Sequence, residues 1–138
     1  MNDRYLLDTN IVSDLIRNPG GRVAAWIEKV GQQSVFTSII VAAEIRYGIV
    51  KSRSTRLASQ LLPIFETLEI LPFEAPADMH YGELRASLER TGNLIDPNDL
   101  LIASQAIALG LAVVTDNERE FLRVPGLKVE NWLRPLPN

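Results

Sequence analysis

Four acidic residues lie in apolar stretches of the sequence, where a solvent-exposed charge is not expected. Asp8 and Asp116 each follow a short apolar run with the composition of a buried strand. Glu44 is surrounded by Ile, Val and Ala, and Asp99 lies in the first turn of a segment that is apolar nearly all round. Because ligands of open α/β sheets bind beyond the carboxyl ends of the strands, we expect these carboxylates to converge at one sheet edge.

Several carboxylates in one partly buried place are unfavourable, since burial and like charges both raise the pKa of each acid. A divalent cation removes this conflict. The chain has no cysteine, and ligand sets made of oxygen atoms favour Mg²⁺, or alternatively Mn²⁺, over zinc. One or two such ions lower the pKa of a bound water and hold a phosphate for in-line attack. That is the chemistry of a metal-dependent nuclease.

Each of these acids also has an ordinary structural interpretation. Asp99 fits the third position of a capped helix, where a carboxylate stabilises the helix end. Asp8 and Asp116 fit turn or cap positions after strands. Glu44 is harder to explain in this way, because glutamates on helix surfaces are usually exposed. The set of four residues indicates function more strongly than any single member does.

Other catalytic classes lack their residues in this chain. The single histidine, His80, lies on an amphipathic segment, whereas metal-free RNA cleavage usually requires a pair of acid–base residues, most often histidines. The nucleophile elbow Gly-x-Ser-x-Gly, the Walker A sequence and the Gly-x-Gly-x-x-Gly fingerprint are all absent. A phosphotransferase with Asp-x-Asp after its first strand does not fit either, because Asn10 occupies the third position.

The elements that must position the carboxylates alternate between strand and helix patterns. This alternation predicts a three-layer α/β/α fold with a mostly parallel central sheet of four to five strands. Ser38 is predicted to cap the third helix, Pro63 to kink the fourth, and Gly110 to end the last long one. The predicted strands are residues 5–7, 34–37, 69–73, 111–115 and 127–130, and the predicted helices are residues 11–17, 23–30, 39–50, 53–68, 77–90 and 97–109.

Composition is that of one globular domain, which we place at residues 1–138. Hydrophobic residues make up 46% of the chain and charged residues 22%. No apolar run approaches the about 20 residues of a membrane span, and the polar residues 1–4 lack the layout of a signal peptide. We therefore expect a cytoplasmic protein without a membrane contact. The net charge of −3 does not indicate a nucleic-acid binder by itself, and the basic residues between positions 46 and 56 are typical of a solvated helix face.

Taken together and in order, several segments are similar to those of a known family. They are Leu-Leu-Asp-Thr-Asn at 6–10, the segment around Glu44, Asp-Leu-Leu-Ile-Ala at 99–103, Val-Thr-Asp-Asn at 114–117 with Glu120 and Phe121, and Val-Glu-Asn-Trp at 129–132. The chain resembles the PIN-domain ribonucleases over nearly its whole length. Within them it resembles the VapC-type toxins of bacterial and archaeal toxin–antitoxin pairs, including the FitB-like subgroup.

The resemblance implies roles for individual residues. Asp8, Glu44 and Asp99 match the acidic residues of the metal site, with Asp8 and Asp99 as direct Mg²⁺ ligands and Glu44 acting through water or orienting the nucleophile. The fourth position is Asp or Asn in the family, so Asp116 and Asn117 both remain open, and we favour Asp116.

Neighbouring positions complete this prediction. Thr9 and Asn10 are expected to cap the first helix and to steady the residues around the metal. Some family members carry an acid two positions before the residue that matches Asp99, but here that position is Pro97. Asp96 suits a helix cap better than a ligand role.

The family further implies a Mg²⁺-dependent endoribonuclease toxin that leaves a 5′-phosphate and a 3′-hydroxyl. It also implies a homodimer and a cognate antitoxin, which inserts a C-terminal segment into the acidic site and provides the only link to DNA. The alternative hypothesis is a PIN-like module that recognises nucleic acid without cutting it, as part of a FitB-like DNA-binding complex. Degenerate modules of that kind are expected to lose acidic positions, and this chain retains them.

Overall fold

The structure of this chain is a computed structural model that describes residues 3–135. Five strands form one sheet in which every pair is parallel, in the order β3-β2-β1-β4-β5. The strands are β1 Tyr5–Leu7, β2 Val35–Ser38, β3 Glu69–Leu71, β4 Ala112–Val114 and β5 Val129–Glu130. The predicted parallel sheet is confirmed. Leu7 pairs with Thr37 on one side and with Val114 on the other, so the carboxyl ends of three strands lie level.

Helices cover both faces of this sheet, as the alternating pattern predicts. They are α1 Thr9–Arg17, α2 Arg22–Val30, α3 Ile39–Ser52, α4 Thr55–Thr67, α5 Ala77–Arg90, α6 Pro97–Leu109 and the short α7 Glu118–Phe121. α6 is the buried central helix that its apolar sequence indicates, and Leu100, Ile102 and Ala106 are almost inaccessible. Within residues 3–135, every helix is too short or too polar to cross a membrane.

Local signals explain where most helices begin and end. The Asp96 carboxylate accepts hydrogen bonds from the backbone N–H groups of Asn98 (2.9 Å) and Asp99 (3.4 Å), which makes it the cap of α6. Ser38 caps α3 by accepting from the N–H of Ile40 at 3.0 Å. Gly110 ends α6 with a φ of 69°, in the left-handed region that glycine adopts readily. These predicted caps are confirmed.

The start of α1 differs from its prediction. The helix begins at Thr9, and Asp8 occupies the cap position without making a side-chain cap bond. The prediction that Thr9 and Asn10 cap this helix is therefore wrong, because both residues are already in its first turn. Their side chains instead contact residues of other elements at the sheet edge. α4 also starts later than predicted and continues as a helix through Pro63.

A small aromatic cluster lies in the core. Trp132, which follows β5, is fully buried, and its ring centroid lies 5.1 Å from that of Tyr5 and 5.5 Å from that of Trp26. The Trp26 and Trp132 rings are parallel within 5°. The cluster thus ties α2 to β1 and to the end of the chain, and it buries large apolar rings with specific geometry.

Candidate active site

Asp8 lies at the centre of the sheet's carboxyl edge. Its backbone N–H donates to the carbonyl of Val114 at 2.9 Å, which continues the pairing of β1 and β4 by one residue. Its side chain is only 4% exposed, and its Oδ2 accepts a hydrogen bond from Thr115 Oγ1 at 2.7 Å. Burial raises the pKa of Asp8 above its usual value, and the bond from Thr115 opposes that rise.

Glu44 reaches the same edge from α3. Its Oε1 accepts a hydrogen bond from Thr9 Oγ1 at 2.8 Å, and its side chain is half-buried. The negative charge of Glu44 contributes to the raised pKa of Asp8. Thr9 therefore has a role at the edge of the site: it fixes a carboxylate on α3 instead of capping α1.

Asp99 completes the group from the first turn of α6. Its pKa is raised to about 8, first by burial and then by a hydrogen bond to Glu120, with a further contribution from the charge of Asp8. The pKa of Glu120 is lowered, chiefly because Glu120 accepts that bond. The pair therefore retains a proton to a higher pH than a free carboxyl group does.

Asn117 holds this pair in place. Its Nδ2 donates to Asp99 Oδ2 at 3.1 Å and to Glu120 Oε2 at 2.9 Å. Its backbone N–H donates to Thr115 Oγ1 at 2.9 Å, so the Thr115 hydroxyl joins Asn117 to Asp8. The turn after β4 thus contacts two of the predicted metal ligands at once.

Asp116 is placed differently from its neighbour. It is exposed, and its Oδ1 accepts a hydrogen bond from Asn131 Nδ2 at 3.0 Å, while its backbone N–H donates to Asn10 Oδ1 at 3.2 Å. Of the two residues open for the fourth position, the structure brings the side chain of Asn117, and not that of Asp116, onto Asp99. A catalytic role for Asp116 stays a prediction.

Glu120 is a site residue without a role predicted from the sequence, although it belongs to a segment that carries the family resemblance. It lies in the four-residue helix α7, next to Phe121, where a glutamate has the appearance of a surface residue. The available signal is its spacing of three from Asn117, which places both side chains on one face of a helical turn. That spacing has meaning only once Asn117 is recognised as a site residue.

The donor atoms at this edge suit a hard divalent cation by chemical type. They are carboxylate and amide oxygens without a nearby sulfur or imidazole. Burial and then the charges of neighbouring acids raise the pKa of Asp8 and of Asp99, as expected where a cation is needed. Among the described residues 3–135, no three acidic or histidine side chains are arranged as a metal-binding group. The edge therefore offers oxygen ligands for a cation, and the hydrogen bond between Asp99 and Glu120 occupies some of these oxygens.

Comparison with known proteins agrees with this geometry. The family model described as PIN domain matches residues 5–127. Ribonuclease VapC2 of Rickettsia felis is 42% identical over 130 residues, which cover 93% of this chain and 97% of that protein. The tRNA(fMet)-specific endonuclease VapC of Shigella flexneri is 35% identical over 130 residues, with 94% and 98% covered. Toxin FitB of Neisseria gonorrhoeae is 34% identical over 136 residues, with 92% and 97% covered.

Solved structures give the same assignment. The VapBC2 complex from Rickettsia felis, bound to a DNA fragment from its promoter, contains a chain that matches with a TM-score of 0.83 and 40% identity, covering 93% of this chain and 98% of that one. The FitAcB structure from Neisseria gonorrhoeae matches with a TM-score of 0.81 and 28% identity, with 95% and 99% covered. The fold, the order of the acidic residues and these matches lead to one conclusion: the chain belongs to the PIN-domain family, within its VapC-type toxin group.

Proposed function

We propose that this chain is a Mg²⁺-dependent endoribonuclease toxin that hydrolyses RNA phosphodiesters. The observation that carries the proposal is the convergence of Asp8, Glu44 and Asp99 from three distant segments on one sheet edge, with raised pKa values for Asp8 and Asp99. Such shifts are typical of functional sites, because a fold gains no stability from crowding acids in this way. Relatives named as ribonucleases and as a tRNA-specific endonuclease support RNA as the substrate class.

Asp8 and Asp99 would hold the cation, which is Mg²⁺ or alternatively Mn²⁺. When bound, the cation supplies positive charge that lowers the pKa of an attacking water and neutralises the phosphate. Hydrolysis that leaves a 5′-phosphate forms a bond between the water oxygen and phosphorus, and breaks the bond from phosphorus to O3′, which takes up a proton.

The remaining residues position these groups. Thr115 holds the Asp8 carboxylate by donating from its buried hydroxyl, and Thr9 orients Glu44. Glu44 would bind the cation through a water molecule or orient the nucleophile. Asn117 keeps Asp99 and Glu120 together at the mouth of the site. Hydrogen bonds of this kind fix the direction in which a carboxylate presents its oxygens.

An antitoxin partner belongs to the proposal. Solved relatives include the VapBC2 and FitAB complexes bound to DNA fragments. By analogy we propose a cognate antitoxin that covers the acidic edge with a basic side chain, since a carboxylate cluster binds Arg or Lys through charge-assisted hydrogen bonds. Contact with DNA would come through that complex. A homodimer and a cytoplasmic location are further parts of the same proposal.

A metal titration separates this function from the alternative of a DNA-binding module that does not cut. Calorimetry on the antitoxin-free protein is expected to show Mg²⁺ or Mn²⁺ binding that Asp8→Ala and Asp99→Ala remove. A protein that binds neither ion near neutral pH and cleaves no RNA would be the module instead.

The decisive experiment is sequencing of cellular RNA ends after induced expression. The wild-type chain is expected to create new 5′-phosphate ends, and Asp8→Ala expressed at the same level is expected to create none. Identical new ends in both samples would show that cleavage does not use this site.

A further inference from the structure

A pocket of about 250 Å³ lies between α2 and the segment that follows β5, outside the carboxylate site. We call it the α2 pocket. It is smaller than the about 300 to 1,000 Å³ of pockets that enclose whole small molecules, so it suits one part of a longer ligand. Its lining residues are Arg22, Ala25, Trp26, Lys29, Arg134 and Pro135.

Three of these lining residues are cations, in a chain whose net charge is −3. Arg22 is fixed by a hydrogen bond from its Nη1 to the carbonyl of Leu133 at 2.8 Å, which leaves its other N–H groups for a ligand. Arg134 forms an ion pair with Glu118 at 2.7 Å, and Lys29 forms no ion pair within residues 3–135. Among residues 3–135, no carboxylate lines the pocket, so the charge of its described lining is positive.

The indole of Trp26 forms the aromatic wall of the α2 pocket. One face of Trp26 stacks on the fully buried Trp132, whose Nε1 donates to Glu130 at 3.0 Å. Because Trp132 covers that face, the Lys29 ammonium, 4.8 Å from the Trp26 ring centroid, lies over the other one. The wall is therefore rigid, with a cation beside it. Grooves that bind single-stranded nucleic acid combine positive charge with aromatic side chains in this way.

A short chain of contacts joins the α2 pocket to the active-site edge. Arg134 pairs with Glu118, and Asn131 Nδ2 donates to both Asp116 (3.0 Å) and Glu118 (3.1 Å). Glu118 directly follows Asn117, which contacts Asp99. Arg134 in the wall of the pocket thus pairs with Glu118, which is adjacent in sequence to a residue of the active-site edge.

Electrostatics favour an RNA strand as the occupant. The carboxylates at the active-site edge repel a polyanion, so a substrate held there needs positive groups nearby to supply its binding energy. We propose that the α2 pocket binds a nucleotide of the RNA substrate away from the cleaved phosphodiester. Its phosphate would lie on Arg22 and on Lys29, whose flexible ammonium moves off the Trp26 ring, and its base or ribose would take the ring face that Lys29 leaves. This inference rests on the proposed function and adds a binding subsite to it.

The test measures binding to single-stranded RNA in the absence of cleavage. Asp8→Asn protein is titrated into a labelled RNA that the wild type cuts, at several salt concentrations. Adding Arg22→Ala and Lys29→Ala is expected to weaken binding on the order of tenfold at 0.15 M salt and to lower the slope of log K against log salt by about 0.7, the value for one phosphate, since both cations hold the same phosphate. Trp26→Leu is expected to weaken binding at least about fivefold without changing the slope.

The matched control removes two cations elsewhere. Arg85→Ala with Arg90→Ala on α5 changes the net charge by the same amount, and neither residue lines the pocket. This pair is expected to leave the slope as it is in the Asp8→Asn parent. Should Trp26→Leu fail to fold, Lys29→Ala alone still tests the proposal, because Lys29 makes no hydrogen bond in the structure of residues 3–135.

The outcomes separate this subsite from the proposed function. If the wild type cleaves RNA, and the pocket variants bind RNA as tightly and as salt-dependently as the Asp8→Asn parent, the subsite is overturned. The proposed nuclease activity then still stands. Pocket variants that lose affinity for a co-produced antitoxin but not for RNA would assign the pocket to a protein partner, which also overturns it. A wild type that neither binds nor cleaves RNA would overturn both.

Discussion

A hydrogen bond joins the carboxyl groups of Asp99 and Glu120. Burial, together with this bond, raises the pKa of Asp99 to about 8, and the same bond lowers the pKa of Glu120. Asn117 contacts both residues and keeps them aligned. The short helix α7 and the start of α6 are therefore joined by a shared proton, which titrates near physiological pH.

This proton makes the stability of the metal-free protein depend on pH. The unfolded chain loses it near the ordinary pKa of 3.8, whereas the folded chain keeps it to about 8. Between these values the folded state binds the extra proton, so the free energy of unfolding that Asp99 contributes falls as the pH rises. Asp99→Asn cannot titrate, and its stability relative to the wild type is expected to increase from pH 5 to pH 9.

Denaturant unfolding in the presence of a chelator measures this difference at each pH. Asp78→Asn, an exposed position in the first turn of α5, provides the surface control and is expected to follow the wild-type profile. Parallel profiles for Asp99→Asn and the wild type would contradict the raised pKa.

The fourth position of the site can be assigned by comparing neighbouring residues. Asn117→Ala removes the side chain that contacts Asp99 and Glu120, whereas Asp116→Ala removes a contact to Asn131. We expect Asn117→Ala to lower kcat about 10- to 100-fold and Asp116→Ala to lower it less. Single-turnover cleavage of a defined RNA by purified protein distinguishes the two, and the reverse order would return the fourth position to Asp116.

Thr115 is expected to act on catalysis through Asp8. Its buried hydroxyl donates to Asp8 Oδ2 and accepts from the N–H of Asn117. Thr115→Val has nearly the same shape but loses both bonds, and a loss of about 10- to 100-fold in Mg²⁺-dependent cleavage should follow. Thr115→Ser keeps the hydroxyl and should retain most of the activity. If the Val and Ser variants are equally active, the hydroxyl does not position Asp8.

Trp132 is expected to be the largest single contributor to stability near the C-terminus. It is fully buried between Tyr5 and Trp26. Trp132→Ala is predicted to lower the free energy of unfolding by about 3 to 5 kcal/mol, because it leaves a large cavity. Trp26→Ala should cost less, since that ring is partly exposed. If the two variants lose the same free energy of unfolding in urea, the two rings contribute equally and the prediction is wrong.

Sequence patterns predict those parts of the fold that local chemistry decides. α5 and α6 have the predicted bounds because their start and stop signals, such as Asp96 and Gly110, act within one turn. The predicted start of α1 is two residues late, because the pattern assigns capping roles to Thr9 and Asn10. Their actual partners, Glu44 and Asp116, are distant in sequence, and periodicity carries no information about them.

At the site, too, local patterns predict some residues and contacts between distant residues decide the rest. The apolar surroundings of Asp8, Glu44 and Asp99 were visible in the sequence, and the structure brings all three to one edge. The choice between Asp116 and Asn117 was not visible, because it depends on which way each side chain leaves a tight turn. Glu120 was missed because its significance comes from contact with Asp99, which no local pattern reveals.

The order of strands in the sheet also determines when a growing chain can become a nuclease. β1 is synthesised first but lies in the middle of the sheet, and its Asp8 is held by Thr115, 107 residues further on. A chain still on the ribosome therefore contains the first carboxylate long before the hydroxyl that fixes it has been made. Translation products that stop before β4 are expected to be harmless to the cell, so toxicity begins only when synthesis is nearly complete.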